Sequence, residues 1–539
     1  MGRRGKRVIG IAVLIVTLAL CWLILALPNS LAALAATPQF WPPLELAIVL
    51  LLLGVAPHAL RRWLAALLAL ALMTLLLLKL ADMVALQAYW RIFDPLADWH
   101  LIAPGWNVLQ GALGEFRALL LALSVALGLG LVFMLLWSGL ARVARYRAIL
   151  PGLSMLLLIA ALLGWQLDDR QPLAGSTRLV AEHVTQSRQN LRDLAALQAR
   201  VRQDEGATVA PQRLLEGLRD HDVLLVFIES YGRVALDQPR YSDTLRPRLQ
   251  EMQREFDSAG FGARSGWLRA PTVGGQSWLS HATLQSGLWI DSQRRYNWLM
   301  GTDRMSLAQL FERAGWRTLA VAPALTRDWS SNAWYRFQKV YDARNLGYEG
   351  RPFNWVTMPD QYTFSALERL ELSRRNRAPI MAEVATVSSH APWTPIPPLI
   401  DWAEVGDGRI FNRWADAGDP PDVVWQDSER VRRQYLKAID YSLATLGAFI
   451  DRYGDDDLVV IAMGDHQPAT LITGEGASRD VPVHVISRDR RVLETFTRWG
   501  WRTGMLPGEA APQWDMDELR PRLIEGFSAV ETGTSADGG

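Results

Sequence analysis

Apolar residues crowd the first third of the chain in runs of about twenty, whereas beyond residue 220 they break into short runs separated by helix-spaced stretches. The two patterns predict two different parts. In the first part, segments at approximately 8–27, 42–60, 63–82, 118–140 and 148–167 are long and apolar enough to cross a hydrocarbon core of roughly 30 Å. They predict a five-helix transmembrane bundle over residues 1–168. The first run follows Met1-Gly-Arg-Arg-Gly-Lys-Arg7, a basic start that a signal peptide shares. Its length and the further spans behind it exclude that reading.

The short loops predict an orientation. Arg61 and Arg62 lie between spans two and three, and Arg142, Arg145 and Arg147 between spans four and five. The loop Leu27–Pro43 carries no charge. Basic loops stay cytoplasmic, so the N-terminus is expected inside and residue 168 onward outside. Tyr89, Trp90, Trp99 and Trp106 fall in the outer loop 83–117 and suit an interfacial aromatic belt.

Residues 169–220 read as a polar helical connector, with Leu179, Val180, Val184, Leu191, Leu194 and Leu197 at roughly helical spacing. From residue 221 the strand-like runs are 222–228, 318–322, 380–387, 458–463 and 481–486, with the helical stretch Ser306–Ala314 before the second. Strands alternating with helices predict an α/β/α sandwich around a mostly parallel sheet, extending to residue 527. Residues 528–539 read as a disordered tail.

Composition narrows the chemistry. A formal net charge of +1, with no basic tract in the polar part, argues against nucleic acid as a partner. The single cysteine, Cys21, lies in an apolar run, so no thiolate metal site or internal disulfide can form. Within the spans Glu45, Lys79 and Asp82 are the main ionisable residues, and all three are expected near a membrane edge, within reach of water. That weighs against a transporter.

Three strand-like runs end in ionisable residues: Glu229, His390, and the pair Asp465/His466. In α/β sheets the functional groups collect beyond the carboxyl ends of strands. A single charge there is usually a solvated loop residue, but two carboxylates and two imidazoles together point to a metal site. Oxygen and nitrogen donors without thiolate suit Mn²⁺, Mg²⁺ or Zn²⁺. The stretch Ala270–Gly287 reads as a Gly-Gly loop leading into a helix, with Ser277 at or near the helix N-terminus. There Ser277 is either a nucleophile or a helix cap. His484, inside the fifth run, is either a second-site ligand or an ordinary strand histidine.

These motifs resemble the sulfatase and alkaline-phosphatase superfamily over residues 220–490, most closely its lipoteichoic-acid-synthase-like and phosphoglycerol-transferase-like members. Val226-Phe-Ile-Glu229-Ser-Tyr resembles the first metal-ligand strand. Ser277-Trp-Leu-Ser-His-Ala-Thr-Leu-Gln-Ser-Gly287 is similar in spacing to the sulfatase signature, with Ser277 at the nucleophile position and His281 at the arginine position. Ser388-Ser-His390-Ala-Pro-Trp and Gly464-Asp465-His466 resemble the substrate-facing histidine segment and the Gly-Asp-His metal motif. Trp334-Tyr-Arg336, followed by Tyr341-Asp342 and Gly347-Tyr348, is similar to a stretch that holds glycerophosphate in the lipoteichoic-acid synthases. Arg327 stands where that family has a histidine. Otherwise Trp334 is a buried tryptophan beside a surface arginine.

The resemblance implies a divalent metal on Glu229, Asp465, His466 and Ser277, with Ser277 as nucleophile, His390 and His281 as acid–base groups, and Trp334, Arg336 and Arg327 on the substrate. Thr272 is the alternative nucleophile. Leu279 and His281 replace the signature's proline and arginine, so conversion of Ser277 to formylglycine is not expected. The implied reaction moves a phosphoglycerol or phosphoethanolamine headgroup from a membrane phospholipid donor to an extracytoplasmic acceptor, a glycan. A membrane-bound metal-dependent phosphodiesterase or sulfatase-type hydrolase is the first alternative. A non-catalytic glycan- or partner-binding protein is the second.

Overall fold

In the computed structural model, residues 3–36, 41–167, 174–201 and 204–529 are described, and the chain divides into two compact units, Met1–Asp193 and Leu194–Gly539. The boundary falls inside the helix Gly175–Val201. Of the expected tail, Ser528 and Ala529 are hydrogen-bonded to Leu215 and Arg213, while 530–539 lie outside the described residues.

In the first unit the apolar runs form helices, three of them long and apolar enough to cross a membrane: Arg61–Tyr89, Glu115–Tyr146 and Leu150–Leu167. Ile11–Ala26 and Leu44–Val55 are shorter apolar helices, so the expected count of five spans is not reached by length among the described residues. The second expected span is cut by its own sequence. Ala56 precedes Pro57 and takes an extended backbone, which ends the helix at Val55. Twelve residues then reach only about 18 Å. The helix Glu115–Val143 leaves Phe116, Leu127 and Leu131 more than half exposed, an apolar surface suited to lipid rather than water. This is a membrane protein. Where this helix meets Arg3–Ala26, Gly139 allows close approach, because a Cβ there would lie 2.3 Å from Thr17 Oγ1.

The ionisable residues of this unit do not reach water as expected. Lys79 Nζ donates to the carbonyls of Ile24 and Leu25 and to Ser176 Oγ at 2.8–3.0 Å. Asp82 accepts from Asn29, the Phe93 amide and His183. Glu45 accepts from the Thr177 amide and hydroxyl. Lys79, Asp82 and one oxygen of Glu45 are thus satisfied by other buried groups and by the freed ends of helices, while Glu45 Oε2 is buried without a hydrogen-bond partner. Of the expected connector stripe, Leu179 and Leu197 are buried, whereas Val180 and Val184 are half exposed. The side chains of Leu191 and Leu194 lie outside the described residues.

The second unit is an α/β sandwich on a mixed sheet. Its strands are β1 (Asp222–Ile228), β2 (Gly262–Arg269), β3 (Arg317–Ala322), β4 (Lys339–Asp342), β5 (Ile380–Ala385), β6 (Leu458–Gly464), β7 (Asp480–Ser487), β8 (Arg502–Thr503) and β9 (Gln513–Asp515). The order is β4-β3-β5-β1-β6-β7-β2-β8, with β9 against β2. From β4 to β6 every neighbour is parallel, but β7 turns antiparallel to β6, β2 to β7 and β8 to β2. The mostly parallel expectation therefore holds for one half of the sheet only. All five runs read as strands are strands. The additional β2, with two glycines and two arginines, lacks any apolar run and is held by its pairing to β7, β8 and β9.

The alternation of each strand sorts side chains to two faces. Leu224, Val226 and Ile228 of β1 pack with the helices Pro239–Ser258, Asp360–Leu367 and Ser428–Tyr453. Val223, Leu225 and Phe227 face the other layer, with Ser277–Ser286, Leu307–Ala314, Arg490–Arg498 and Leu519–Phe527. The parallel strands β5, β1 and β6 thus end together at one edge, and the candidate chemistry lies there.

Candidate active site

Ile228 at the end of β1 pairs with Gly464 at the end of β6, so the residues that follow, Glu229 and Asp465, emerge side by side. Gly464 is required by that closeness: a Cβ there would lie 1.9 Å from the Tyr231 carbonyl oxygen. The Ser230 amide donates to Asp465 Oδ1 at 2.8 Å and Ser389 Oγ to the Glu229 carbonyl at 2.7 Å, pinning three strand ends to one another. His466 Nδ1 lies 2.9 Å from the Gln467 carbonyl. That contact requires the Nδ1–H tautomer and leaves Nε2 as the free lone pair.

Glu229, Asp465 and His466 offer ligand atoms that all lie within 4.8 Å of one another. They are 7%, 2% and 1% exposed. Burial, and then the neighbouring Glu229 carboxylate, push the Asp465 carboxyl up to about 6. Two buried carboxylates this close are unfavourable without a cation. The donor set, two carboxylates and one imidazole with a hydroxyl beside them, fits a divalent metal such as Zn²⁺, Mn²⁺ or Mg²⁺.

The hydroxyl is that of Ser277. It is the first residue of the helix Ser277–Ser286, and the cap position belongs to Gln276, whose side chain makes no capping bond. Ser277 Oγ instead donates to Glu229 Oε2 at 3.1 Å and lies 3.2 Å from His466 Nε2. The helix-cap reading of Ser277 is therefore set aside by geometry. Thr272, the alternative, donates to the Gly275 carbonyl at 2.8 Å within the preceding turn.

Backbone strain gathers around these residues. Ser230, Gln276, Arg336 and Trp393 have φ between 57° and 65°, in the left-handed region that non-glycine residues rarely adopt. Ser230 follows Glu229, Gln276 precedes Ser277, and Trp393 lies three residues past His390. Such strain is retained where surrounding contacts over-determine a conformation, commonly at functional sites.

His281, one helical turn past Ser277, has Nδ1 2.7 Å from Glu383 Oε1, and its ring stacks on Phe227 at 3.9 Å. Burial opposes its charged form, but Glu383, with the fields of Asp465 and Glu229, outweighs that and raises its pKa. His390 behaves oppositely: burial brings its pKa down to about 4, and the fields of His466 and Asp465 both reach it. His484 is 1% exposed, with Nδ1 at 2.8 Å from Ser265 Oγ and Nε2 at 3.3 Å from the Tyr231 hydroxyl. Both ring nitrogens face protein partners away from the metal-type cluster, as an ordinary strand histidine requires. Its strand runs antiparallel to β6, and it pairs with Ala462, one layer below the sheet edge.

Trp334 is 5% exposed and packs edge-on against Tyr335, with its indole N–H unpartnered. Arg336, at the end of the same helical turn, and Arg327 are exposed. Sequence reasoning missed two neighbours. Glu383 sits within β5, and a lone acid in Ile-Met-Ala-Glu-Val-Ala was the available signal. Trp355 meets His390 edge to face at 3.9 Å, and no local pattern marks it.

The arrangement places a serine hydroxyl beside a Glu/Asp/His group that could hold a metal ion, at the strand ends of an α/β sandwich. Residues 221–480 match the protein-family model described as Sulfatase, the family that the motifs resemble. No curated protein sequence is significantly similar to the chain. Among solved structures, the lipoteichoic acid synthase LtaP from Listeria monocytogenes is 17% identical, with TM-score 0.38, covering 59% of this chain and 74% of that one. The Streptococcus pyogenes phosphoglycerol transferase GacH, in complex with sn-glycerol-1-phosphate, is 12% identical, with TM-score 0.38, 62% and 82% covered. The C-terminal periplasmic domain of EcEptC from Escherichia coli is 12% identical, with TM-score 0.39, 57% and 84% covered.

Proposed function

We propose that the chain transfers a phosphoglycerol- or phosphoethanolamine-type headgroup from a membrane phospholipid to an extracytoplasmic acceptor, a glycan, through phospho-Ser277. The observation that carries this reading is the Ser277 hydroxyl lying between Glu229 and His466. A divalent cation held by Glu229, Asp465 and His466 supplies, when bound, the positive charge that favours serine ionisation and offsets phosphoryl charge. Ser277 Oγ attacks phosphorus as its proton passes toward Glu229 Oε2, the P–O bond to diacylglycerol breaks, and the leaving oxygen takes a proton. His281, whose pKa the Glu383 carboxylate raises, suits the donor of that proton. His390, neutral at pH 7, suits the base that takes the proton of the acceptor hydroxyl as it attacks phospho-Ser277, while the P–O bond to Ser277 breaks and the serine oxygen takes back the proton from Glu229. Exposed Arg336, on a turn that Trp334 anchors, and exposed Arg327 supply positive charge for the phosphate.

The membrane unit supports a lipid donor, since apolar helices long enough to cross a bilayer are on the same chain as the site. In this reading the chain sits in the plasma or inner membrane with its N-terminus cytoplasmic and the sulfatase-like domain outside. The test incubates radiolabelled phospholipid with the full-length protein, with and without a glycan acceptor. Label should reach the glycan, and without acceptor a phosphorylated peptide from residues 270–294 should accumulate. Release of label to water at the same rate in both arms would make the protein a phosphodiesterase instead.

A further inference from the structure

A carboxylate in the interior of a buried strand is costly to desolvate unless something specific pairs with it. Glu383 is such a residue. It lies within β5, 5% exposed, on the sheet face that also carries Phe227 and receives the helix Ser277–Ser286. Its two oxygens have different partners. Oε1 lies 2.7 Å from His281 Nδ1, and Oε2 accepts from Gln285 Nε2 at 2.7 Å. Gln285 cannot reverse its amide without loss, because its own Oε1 accepts from the Ala308 amide at 2.9 Å, at the start of the helix Leu307–Ala314. Gln285 therefore presents N–H to Glu383, and the other carboxylate oxygen is left for the imidazole. Phe227 fixes the ring plane from β1.

We propose that Glu383, oriented by Gln285, is a positioning residue that sets the tautomer and direction of the His281 ring. A carboxylate accepts only, so Nδ1 must carry a proton and Nε2 is the atom left for the reaction. The inference rests on the role given to His281 in headgroup transfer. It adds a chain of three side chains, Gln285–Glu383–His281, running from a helix start through the sheet to the acid–base group.

Glu383→Gln tests it at nearly constant volume. With Gln285 N–H claiming the new amide oxygen, the new NH₂ faces Nδ1 and selects the opposite tautomer. Turnover in the full-length protein should fall roughly a hundredfold, within the range of a lost acid–base group, with donor KM and bound metal unchanged. In a His281→Gln background, which keeps a donor for Glu383, the same change should cost less than about threefold, since coupled groups are not additive. Adding Gln285→Glu to Glu383→Gln exchanges donor and acceptor, turns the amide oxygen back to Nδ1, and should return turnover to within about tenfold of wild type. This exchanged pair carries the test if Glu383→Gln alone does not fold. An equal loss in both backgrounds, or a folded but inactive exchanged pair, would reduce Glu383 to a structural ion pair. Wild-type turnover in His281→Gln would remove the acid–base role of His281 and with it that of Glu383. Phospho-Ser277 would still form in that case, so the two failures are distinguishable.

Discussion

Ser277 Oγ donates a hydrogen bond to Glu229 Oε2 across 3.1 Å, although 48 residues separate them in the chain. The contact joins the start of a helix to the end of β1, and with His466 Nε2 on its other side the hydroxyl has no part in capping its own helix. A hydroxyl that meets two ionisable groups in this way supports the nucleophile role proposed for Ser277.

Removing that hydroxyl should separate the two roles. A lost cap costs about 1 kcal/mol and leaves chemistry intact, whereas a lost nucleophile leaves the fold intact. Ser277→Ala is expected to stay folded, bind metal and lose turnover by several orders of magnitude, while Ser277→Thr keeps part of it. Steady-state kinetics with metal analysis checks both. Turnover near wild type in Ser277→Ala and in Thr272→Ala would exclude a covalent serine or threonine route.

The pair Glu229 and Asp465 makes a prediction about metal removal. Without a cation the two buried carboxylates repel, and burial first and then Glu229 push the Asp465 carboxyl up to about 6. Chelation should therefore lower the thermal midpoint of the sulfatase-like unit. Metal at a thousandfold its Kd stabilises a folded state by about 4 kcal/mol. Asp465→Ala and His466→Ala should lose bound metal and activity and become insensitive to chelator. A midpoint unmoved by chelation in the wild type would contradict the assignment of this cluster as a metal site.

What the sequence disclosed follows from where the signal is local. A strand buried on both faces must be apolar along its length, so β1, β3, β5, β6 and β7 were readable. A charge at the end of such a run stands out, and Glu229 and Asp465/His466 did. β2 escaped because its stability comes from three partner strands rather than its own residues. The antiparallel turn of β7 escaped because a buried strand reads the same in either direction. Glu383 and Trp355 were missed because their meaning lies in His281 and His390, 102 and 35 positions away; only folding reveals the pairing. The second apolar run read longer than its helix for a simpler reason: hydropathy passes over Pro57, which the backbone cannot.

Orientation in the membrane gives a prediction independent of catalysis. With arginines at 61, 62, 142, 145 and 147 held in the cytoplasm, a reporter active only outside should be active when fused after Ser528. The same reporter fused after Arg145 should be silent. The reverse pattern would remove both the topology and the access of the site to the outer leaflet.

His484 gives a prediction about acid stability. The Ser265 hydroxyl proton goes to the Gly504 carbonyl at 2.7 Å, so Ser265 Oγ is free to accept from His484 Nδ1–H. Nε2 then accepts from the Tyr231 hydroxyl. The neutral ring is thereby satisfied on both sides, and burial lowers its pKa to about 3. An unfolded histidine titrates near 6.5, so between these values the unfolded chain binds the extra proton. The stability this neutral ring contributes is fully present above about pH 6.5 and is lost as pH falls toward 3, by at most about 1.4 kcal/mol per pH unit. His484→Gln cannot take up that proton. Denaturant unfolding of wild type and variant at pH 7.5, 6.5, 5.5 and 4.5 should give curves whose separation shrinks by about 2 kcal/mol between the second and last pH. His390, also lowered, shifts both proteins alike and cancels in the difference. A separation constant with pH would mean that His484 titrates in the folded protein as it does in the unfolded chain, and that the pocket between β2, β7 and Tyr231 admits water.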